Sequence, residues 1–184
     1  MTKKAGEGGR KKTGASGKMR MIRIQKAVIN IGVGEAGENL EKAEKVLGML
    51  TKVTPVRTKS KTTNRDWAIR AGMPIGCKVT LRHKPAEEFI ARAFWVKENR
   101  ISDYSFDQEG NFSFGISDYT DFEGMKYDPQ IGILGLDVCV TLARPGRRVA
   151  DRNLSSRKLP PKQRITKDEG IAFVKNKFKV EVIS

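Results

Sequence analysis

Apolar and polar positions along the chain recur regularly enough to place most elements before any other property is considered. Residues Met21 to Ile31 are rich in β-branched side chains and lead into Gly32, which predicts a strand across the second half of that run. Between Asn39 and Leu50, the residues Leu40, Ala43, Leu47 and Leu50 fall at helical spacing while Glu41 and Lys45 sit four apart on an outer face. That is an amphipathic helix, with Asn39 as the expected N-cap. Pro55 opens a second strand in which Arg57, Lys59 and Lys61 alternate onto one side. After a loop over Asn64 to Ile75, a third strand turns Cys77, Val79 and Leu81 inward and Lys78, Thr80 and Arg82 outward.

Pro85 occupies a first-turn position of a second helix, whose buried stripe is Phe89, Ile90, Ala93 and Phe94. The segment Ile101 to Pro129 is turn-rich and acidic, with Phe106, Phe112, Phe114, Tyr119 and Phe122 spread through it; short strands on long loops are expected. Leu136, Val138, Val140 and Leu142 alternate with Asp137, Cys139 and Thr141, the pattern of a half-buried strand. Thr166-Lys167-Asp168-Glu169 fits a capping box for a helix through Lys177, followed by a short strand over Val180 to Ile183. The fold class that follows is α+β: an antiparallel sheet with helices packed on one face and the other face open. Residues 19–184 are expected to form one domain, preceded by a basic arm over 1–18 with no hydrophobic period and interrupted by a basic extended loop over 144–164.

Charge sharpens this picture. The 184 residues hold 36 Lys and Arg against 21 Asp and Glu, a formal net charge of +15, and the excess is unevenly placed. Residues 1–26 carry nine bases and one acid, 52–84 nine and one, and 144–164 eight and one, whereas 85–143 carry eleven acids and four bases. The basic arm and loop hold too few apolar residues to fold alone, so a polyanion is expected to neutralise and order them. Nucleic acid is the leading partner. The acidic block is expected to face solvent or a basic protein.

Other chemistries are weaker. Gly32-Val33-Gly34-Glu35-Ala36-Gly37 fits G-x-G-x-x-G between a strand and a helix, so a dinucleotide turn of an NADP-type oxidoreductase is the alternative reading. Against it, Glu35 and Glu38 put carboxylates where a pyrophosphate would sit, and Arg57 stands where an acid would hold the ribose. His83, the single imidazole, lies between Arg82 and Lys84 with no neighbouring carboxylate to orient it. Cys77 and Cys139 are isolated, which fits a reducing cytosol and no zinc site. No catalytic residue, metal or cofactor is expected, and no apolar run approaches the ~20 residues needed to span a bilayer. Trp67, beside Arg65 and Arg70, suits stacking on an unpaired base as well as it suits core packing or loop anchoring.

Two stretches, Lys26-Ala27-Val28-Ile29-Asn30-Ile31-Gly32-Val33-Gly34-Glu35 and Gly72-Met73-Pro74-Ile75-Gly76-Cys77-Lys78-Val79-Thr80-Leu81-Arg82, closely resemble the hallmark stretches of the universal large-subunit ribosomal protein five family. Phe106 to Ile116 is similar to that family's Gly-Asn turn and strand. The resemblance extends over residues 20–143, departing from the bacterial pattern at Lys61 to Trp67, while the arm and the 144–164 segment resemble the archaeal and eukaryotic branch. It implies an antiparallel sheet with helices on one face, no catalysis, and a cytoplasmic place on the ribosome. It also implies 5S rRNA and large-subunit rRNA as partners, a bridge to a small-subunit protein and a loop near peptidyl-site tRNA. Carried over residue by residue, Gln25, Lys26 and Asn30 with Arg57, Lys59 and Lys61 are the expected 5S rRNA contacts. Arg70, Ala71, Gly72, Met73, Pro74 and Ile75 match the tRNA-facing loop. Arg23, Lys78, Arg82, Arg147 and Arg148 complete the expected rRNA-binding set.

Overall fold

Five strands form one sheet in the spatial order β2 (Val56–Lys59), β3 (Pro74–Leu81), β1 (Arg23–Gly32), β6 (Leu136–Ala143) and β5 (Phe112–Ile116), and every neighbouring pair is antiparallel. The computed structural model describes residues 19–183, so the arm expected over 1–18 lies outside the described residues. Two helices, α1 (Glu38–Thr51) and α2 (His83–Val96), pack on the same face, α1 against β3 and α2 against β1. Between them and the sheet lies one apolar core in which Ile29, Ile31, Val79, Val138 and Val140 meet Leu40, Leu47, Phe89 and Phe94, all at most 2% exposed. Burying side chains of this size contributes about 1.5–3 kcal/mol each.

The acidic, aromatic-rich segment belongs to the same core. Phe94 of α2 packs its ring against Phe112 (5.9 Å), Phe114 (5.3 Å) and Phe178 (5.2 Å), while Tyr119 is fully buried with its hydroxyl accepting from Asp128 N at 3.3 Å. A second, two-stranded sheet pairs β4 (Arg100–Ser102) with β7 (Glu181–Ile183) in parallel, an element the sequence pattern does not distinguish from the main sheet. The helix α4 (Lys167–Phe178) starts with the expected capping box: Thr166 Oγ1 accepts from Glu169 N, and Glu169 Oε2 accepts from Thr166 N at 3.2 Å. Between β6 and α4, the basic segment holds a one-turn helix, α3 (Arg148–Asp151), and a short 3₁₀ turn over Pro161–Gln163.

Three expectations change. Asn39 lies inside α1; the cap is Gly37, at φ 138°, whose carbonyl accepts from Leu40 N and Glu41 N. Glycine alone reaches that φ freely, so backbone geometry replaces a side-chain cap. The second strand ends at Lys59, because Ser60 N donates to Met73 O (2.8 Å) and Gly72 N to Ser60 O (2.9 Å), folding the chain into a hairpin arm that carries Lys61 beyond the sheet. Arg57 also departs from the expected open face. It stands opposite Cys77, an inward-facing residue, and directly paired residues share a face.

The packing has two measurable consequences. A Cβ on Gly170 would lie 2.7 Å from Gly110 O and 2.8 Å from Gly110 Cα, since the start of α4 rests on that turn. Gly170→Ala gains up to ~1 kcal/mol of helix propensity but must displace backbone, and overpacking of this kind costs about 1–3 kcal/mol. We expect a lower urea midpoint at unchanged m-value; an unaltered or higher midpoint would show that α4 can shift freely. Burial, and next the charge of Glu44, push the Cys77 thiol up to about 11 from its ordinary 9.0. The unfolded chain therefore ionises this thiol first, so the contribution is intact below pH 9 and is lost as pH rises toward 11, by about 1.4 kcal/mol at pH 10. In urea titrations the stability gap between the wild type and Cys77→Ala should narrow by that amount from about pH 8 to 10, and a constant gap would contradict it.

Candidate nucleic-acid interface

The face of the sheet turned away from the helices is set by β1. Ala27, Ile29 and Ile31 go to the core, so Lys26, Val28 and Asn30 go to the open side. Register carries this across the strands. One row runs Ser113, Cys139, Val28, Thr80; the next runs Gly115, Asp137, Asn30, Lys78, Val56; and Thr141 stands opposite Lys26. The face is thus less cationic than the strand pattern suggests. Its middle is small and hydrogen-bonding, it includes one acid of the acidic block, Asp137, and among these paired residues only Lys78 and Lys26 are basic. Cys139 is exposed on it, its thiol held above the usual range by partial burial and by the Asp137 carboxylate.

Basic charge concentrates at the two ends of the strands. At one end a cleft of about 500 Å³ is lined by Arg23, Gln25, Lys26, Arg82, Ala143, Arg144, Pro145, Gly146, Arg147, Arg148 and Asp151, six cations against one carboxylate. A bulge between Ile24 and Lys26 makes it possible: Ile24 stays in the core opposite Leu142, Lys26 moves to the open side, and Gln25 is the extra residue. Gln25 Nε2 donates to Asp151 Oδ2 at 3.1 Å. The basic loop is fixed to the body by its own side chains. Arg144, its side chain only 10% exposed, donates to Lys162 O (3.0 Å) and Glu169 Oε1 (2.7 Å), and Gln163 Nε2 donates to Pro145 O (2.8 Å). Arg152 closes the loop on itself through Ser155 O. Carbonyls capped by guanidinium groups take the place of an apolar core, since the loop's Val149 and Leu154 are exposed.

At the other end lies the β2–β3 hairpin arm, with Lys59, Lys61, Arg65 and Arg70 all exposed. A bridge between Asn64 and Ile69 narrows it, and Asn64 Oδ1 accepts from Asp66 N. Of the expected tRNA-facing loop, Arg70, Ala71 and Gly72 are exposed at the arm's return, Gly72 at φ 85°, while Met73, Pro74 and Ile75 are half-buried where β3 begins. Trp67 is 72% exposed, which excludes core packing for it.

The structure therefore brings Arg23, Gln25, Lys26, Arg82, Arg147 and Arg148 together, places Asn30 and Lys78 on the adjoining face, and puts Lys59 and Lys61 at the far end. Arg57 stands apart. Its Nε and Nη2 donate to the two carboxylate oxygens of Glu44 at 2.5 and 3.0 Å, and that hydrogen bond, with the Glu44 charge, raises its pKa further. Strand alternation in 136–142 marks Thr141 and Cys139 as open-face residues, but nothing local marks Arg144 or Asp151 as cleft residues, because Arg144 is placed by Glu169 on α4, 25 residues away.

The glycine turn carries no nucleotide site. Val33 N and Gly34 N both donate to Ile75 O, at 3.1 and 2.8 Å, so the amides a pyrophosphate needs are already used. The strand before the turn has antiparallel neighbours on both sides, whereas the dinucleotide turn belongs to a parallel βαβ unit. Among the described residues no three His, Cys, Asp or Glu side chains gather as a metal site, and no helix is long and apolar enough to cross a membrane.

The family model for the C-terminus of the ribosomal L5 family matches residues 74–173, and that of "Ribosomal protein L5" matches residues 18–70. The chain is 51% identical over 164 residues to the large ribosomal subunit protein uL5 of Methanoregula boonei, covering 89% of this chain and 99% of that one. It is 52% identical over 166 residues to its counterpart in Thermoplasma volcanium (90% and 98%) and 50% identical over 159 residues to that in Methanosphaera stadtmanae (86% and 95%). These are ribosomal constituents of the cytoplasm and not enzymes, which removes the oxidoreductase alternative. The chain belongs to the ribosomal L5 family, structural rRNA-associated proteins of the large ribosomal subunit.

Proposed function

We propose that the chain seats 5S rRNA on its open sheet face and basic cleft and so attaches that RNA within the large subunit. The observation that carries the reading is the spacing of charge. Eight residue steps of β3 and its end, from Pro74 to Arg82, separate the hairpin arm from the cleft, roughly 26 Å at the rise of an extended strand. A small anion meets one cluster. A folded RNA meets both and lays bases or ribose against the neutral Asn30, Thr80 and Thr141 between them. Phosphate contacts position and polar contacts on the face discriminate, the division of labour that nucleic-acid readers use. The nine-to-one excess of bases over residues 1–26 adds to the same attraction.

The family resemblance extends the proposal to two further contacts. The arm's return at Arg70–Ile75 approaches peptidyl-site tRNA, where the Arg70 charge and the exposed Gly72 backbone suit a phosphate path. A basic small-subunit protein bridges against the acidic segment. Many of that segment's carboxylates already serve the fold, since Asp103 pairs with Lys167, Glu87 with Lys177, and Asp118 Oδ1 accepts from Thr120 N. Asp121 and Glu123 are exposed and remain for a partner.

Filter binding with a 5S rRNA transcript tests the reading. Log affinity should fall steeply with log salt, and Lys26→Glu, Lys78→Glu and Arg82→Glu together should abolish the complex while urea unfolding stays cooperative. Arg57→Glu should leave most of the affinity, because Arg57 is paired with Glu44 on the helix side. Retained binding in the triple variant would remove the open face and cleft from the site. The same face predicts a footprint: bound 5S rRNA should slow maleimide labelling of Cys139, and unchanged labelling would place the RNA elsewhere.

A further inference from the structure

Among the described residues the basic cleft holds one acid, Asp151, and that acid sits among donors it does not satisfy. Asp151, on α3, is an exposed residue held through Gln25 Nε2; its Oδ1 lies 3.7 Å from Arg147 Nε, an ion pair too long to be a hydrogen bond. Among the described residues, Arg147 Nε and Arg144 Nε are covered and have no hydrogen-bond partner, although most covered polar atoms in folded proteins find one. Gln25 Oε1, an acceptor, is covered in the same cleft and has no partner among the described residues. A one-turn helix on a solvent-exposed loop thus presents a carboxylate to a cationic seat with spare donors.

We propose that Asp151 is a built-in stand-in for an RNA backbone phosphate: it occupies the seat between Gln25 and Arg147 in the free protein and yields it when RNA arrives. The inference rests on the rRNA-binding reading and specifies one phosphate position within it. A phosphodiester offers two non-bridging oxygens to the guanidinium groups. The neighbouring 2′-hydroxyl supplies the donor that Gln25 Oε1 lacks, which a DNA backbone does not have. A free anion must compete with a tethered carboxylate, whereas RNA already held along the sheet delivers its phosphate at high local concentration. Any RNA that fills the seat must displace Asp151 at the same cost, whereas a free anion lacks the local concentration to do so.

The test uses the full chain, a 5S rRNA transcript and an unrelated duplex RNA of similar length, with affinity measured across a salt series. Asp151→Asn keeps the side chain's size and its bond from Gln25 while removing the charge, and should raise affinity for both RNAs about two- to fivefold, the worth of one exposed ion pair. Arg147→Gln should lower affinity and reduce the salt slope by about 1. The double variant should show no gain over Arg147→Gln alone. Unchanged or weaker binding by Asp151→Asn, or an undiminished gain in the double variant, overturns the proposal. Should a variant not fold, the wild type decides. The Gln25 side-chain amide and Arg147 Nε–H NMR signals should shift on adding duplex RNA, and stationary signals overturn the seat. Equal wild-type affinity for the two RNAs would defeat the 5S assignment while leaving the coupling between Asp151 and Arg147 intact, so the two failures are distinct.

Discussion

Because β1 lies between β3 and β6 and gives Ala27, Ile29 and Ile31 to the core, a slip of one residue in its pairing would exchange the two faces of the sheet along the whole strand. Asn30 and Lys26 would be buried under α1 and α2, and the isoleucines would meet solvent. The apolar packing of those two helices therefore holds the open face in register as well as stabilising the molecule. The bulge at Gln25 is the one place in β1 where parity is reset. It lets Ile24 remain in the core and releases Gln25 and Lys26 toward the cleft, so the core and the cationic end are parts of one solution to the same alternation.

How much of this is legible in the chain depends on how local each cause is. The Thr166 capping box, the Phe89 to Phe94 stripe of α2 and the outward Lys78 of β3 are all decided within a few residues, and they stand where the pattern puts them. Arg57 illustrates the limit. Alternation groups it with Lys59, but only the pairing of Arg57 with Cys77 decides which face it takes, and its partner Glu44 lies on a helix 13 residues earlier. Lys61 follows the same rule, since the strand ends where Ser60 meets Met73 across the hairpin. The bulge is written as a shift in apolar parity between Ile24 and Ala27, yet a pattern read from the second half of the run passes over it.

The basic loop over 144–164 shows how a segment without a core of its own acquires shape. Arg144 serves the fold on one side, through Glu169 and Lys162 O, and lines the cleft on the other. Its side chain is nine-tenths covered, so it gives the cleft a fixed positive charge at little further cost in side-chain entropy on binding. Exposed Arg148 and Arg23 differ: their charge attracts at a distance but must be ordered on contact.

Asp137 then has a clear physical effect despite standing against the net charge. It occupies the middle of the open face, between Gly115 and Asn30, where a carboxylate repels phosphate but accepts hydrogen bonds from base or ribose donors. A uniformly basic face would hold any polyanion in any register. On the proposed reading, with most cations at the ends and Asp137 in the same row as Lys78, a backbone that slides along the sheet would bring phosphate against Asp137 and lose a contact at one end. If rRNA is seated as proposed, this distribution of charge penalises wrong registers as well as rewarding the right one, and specificity is the difference between those two terms.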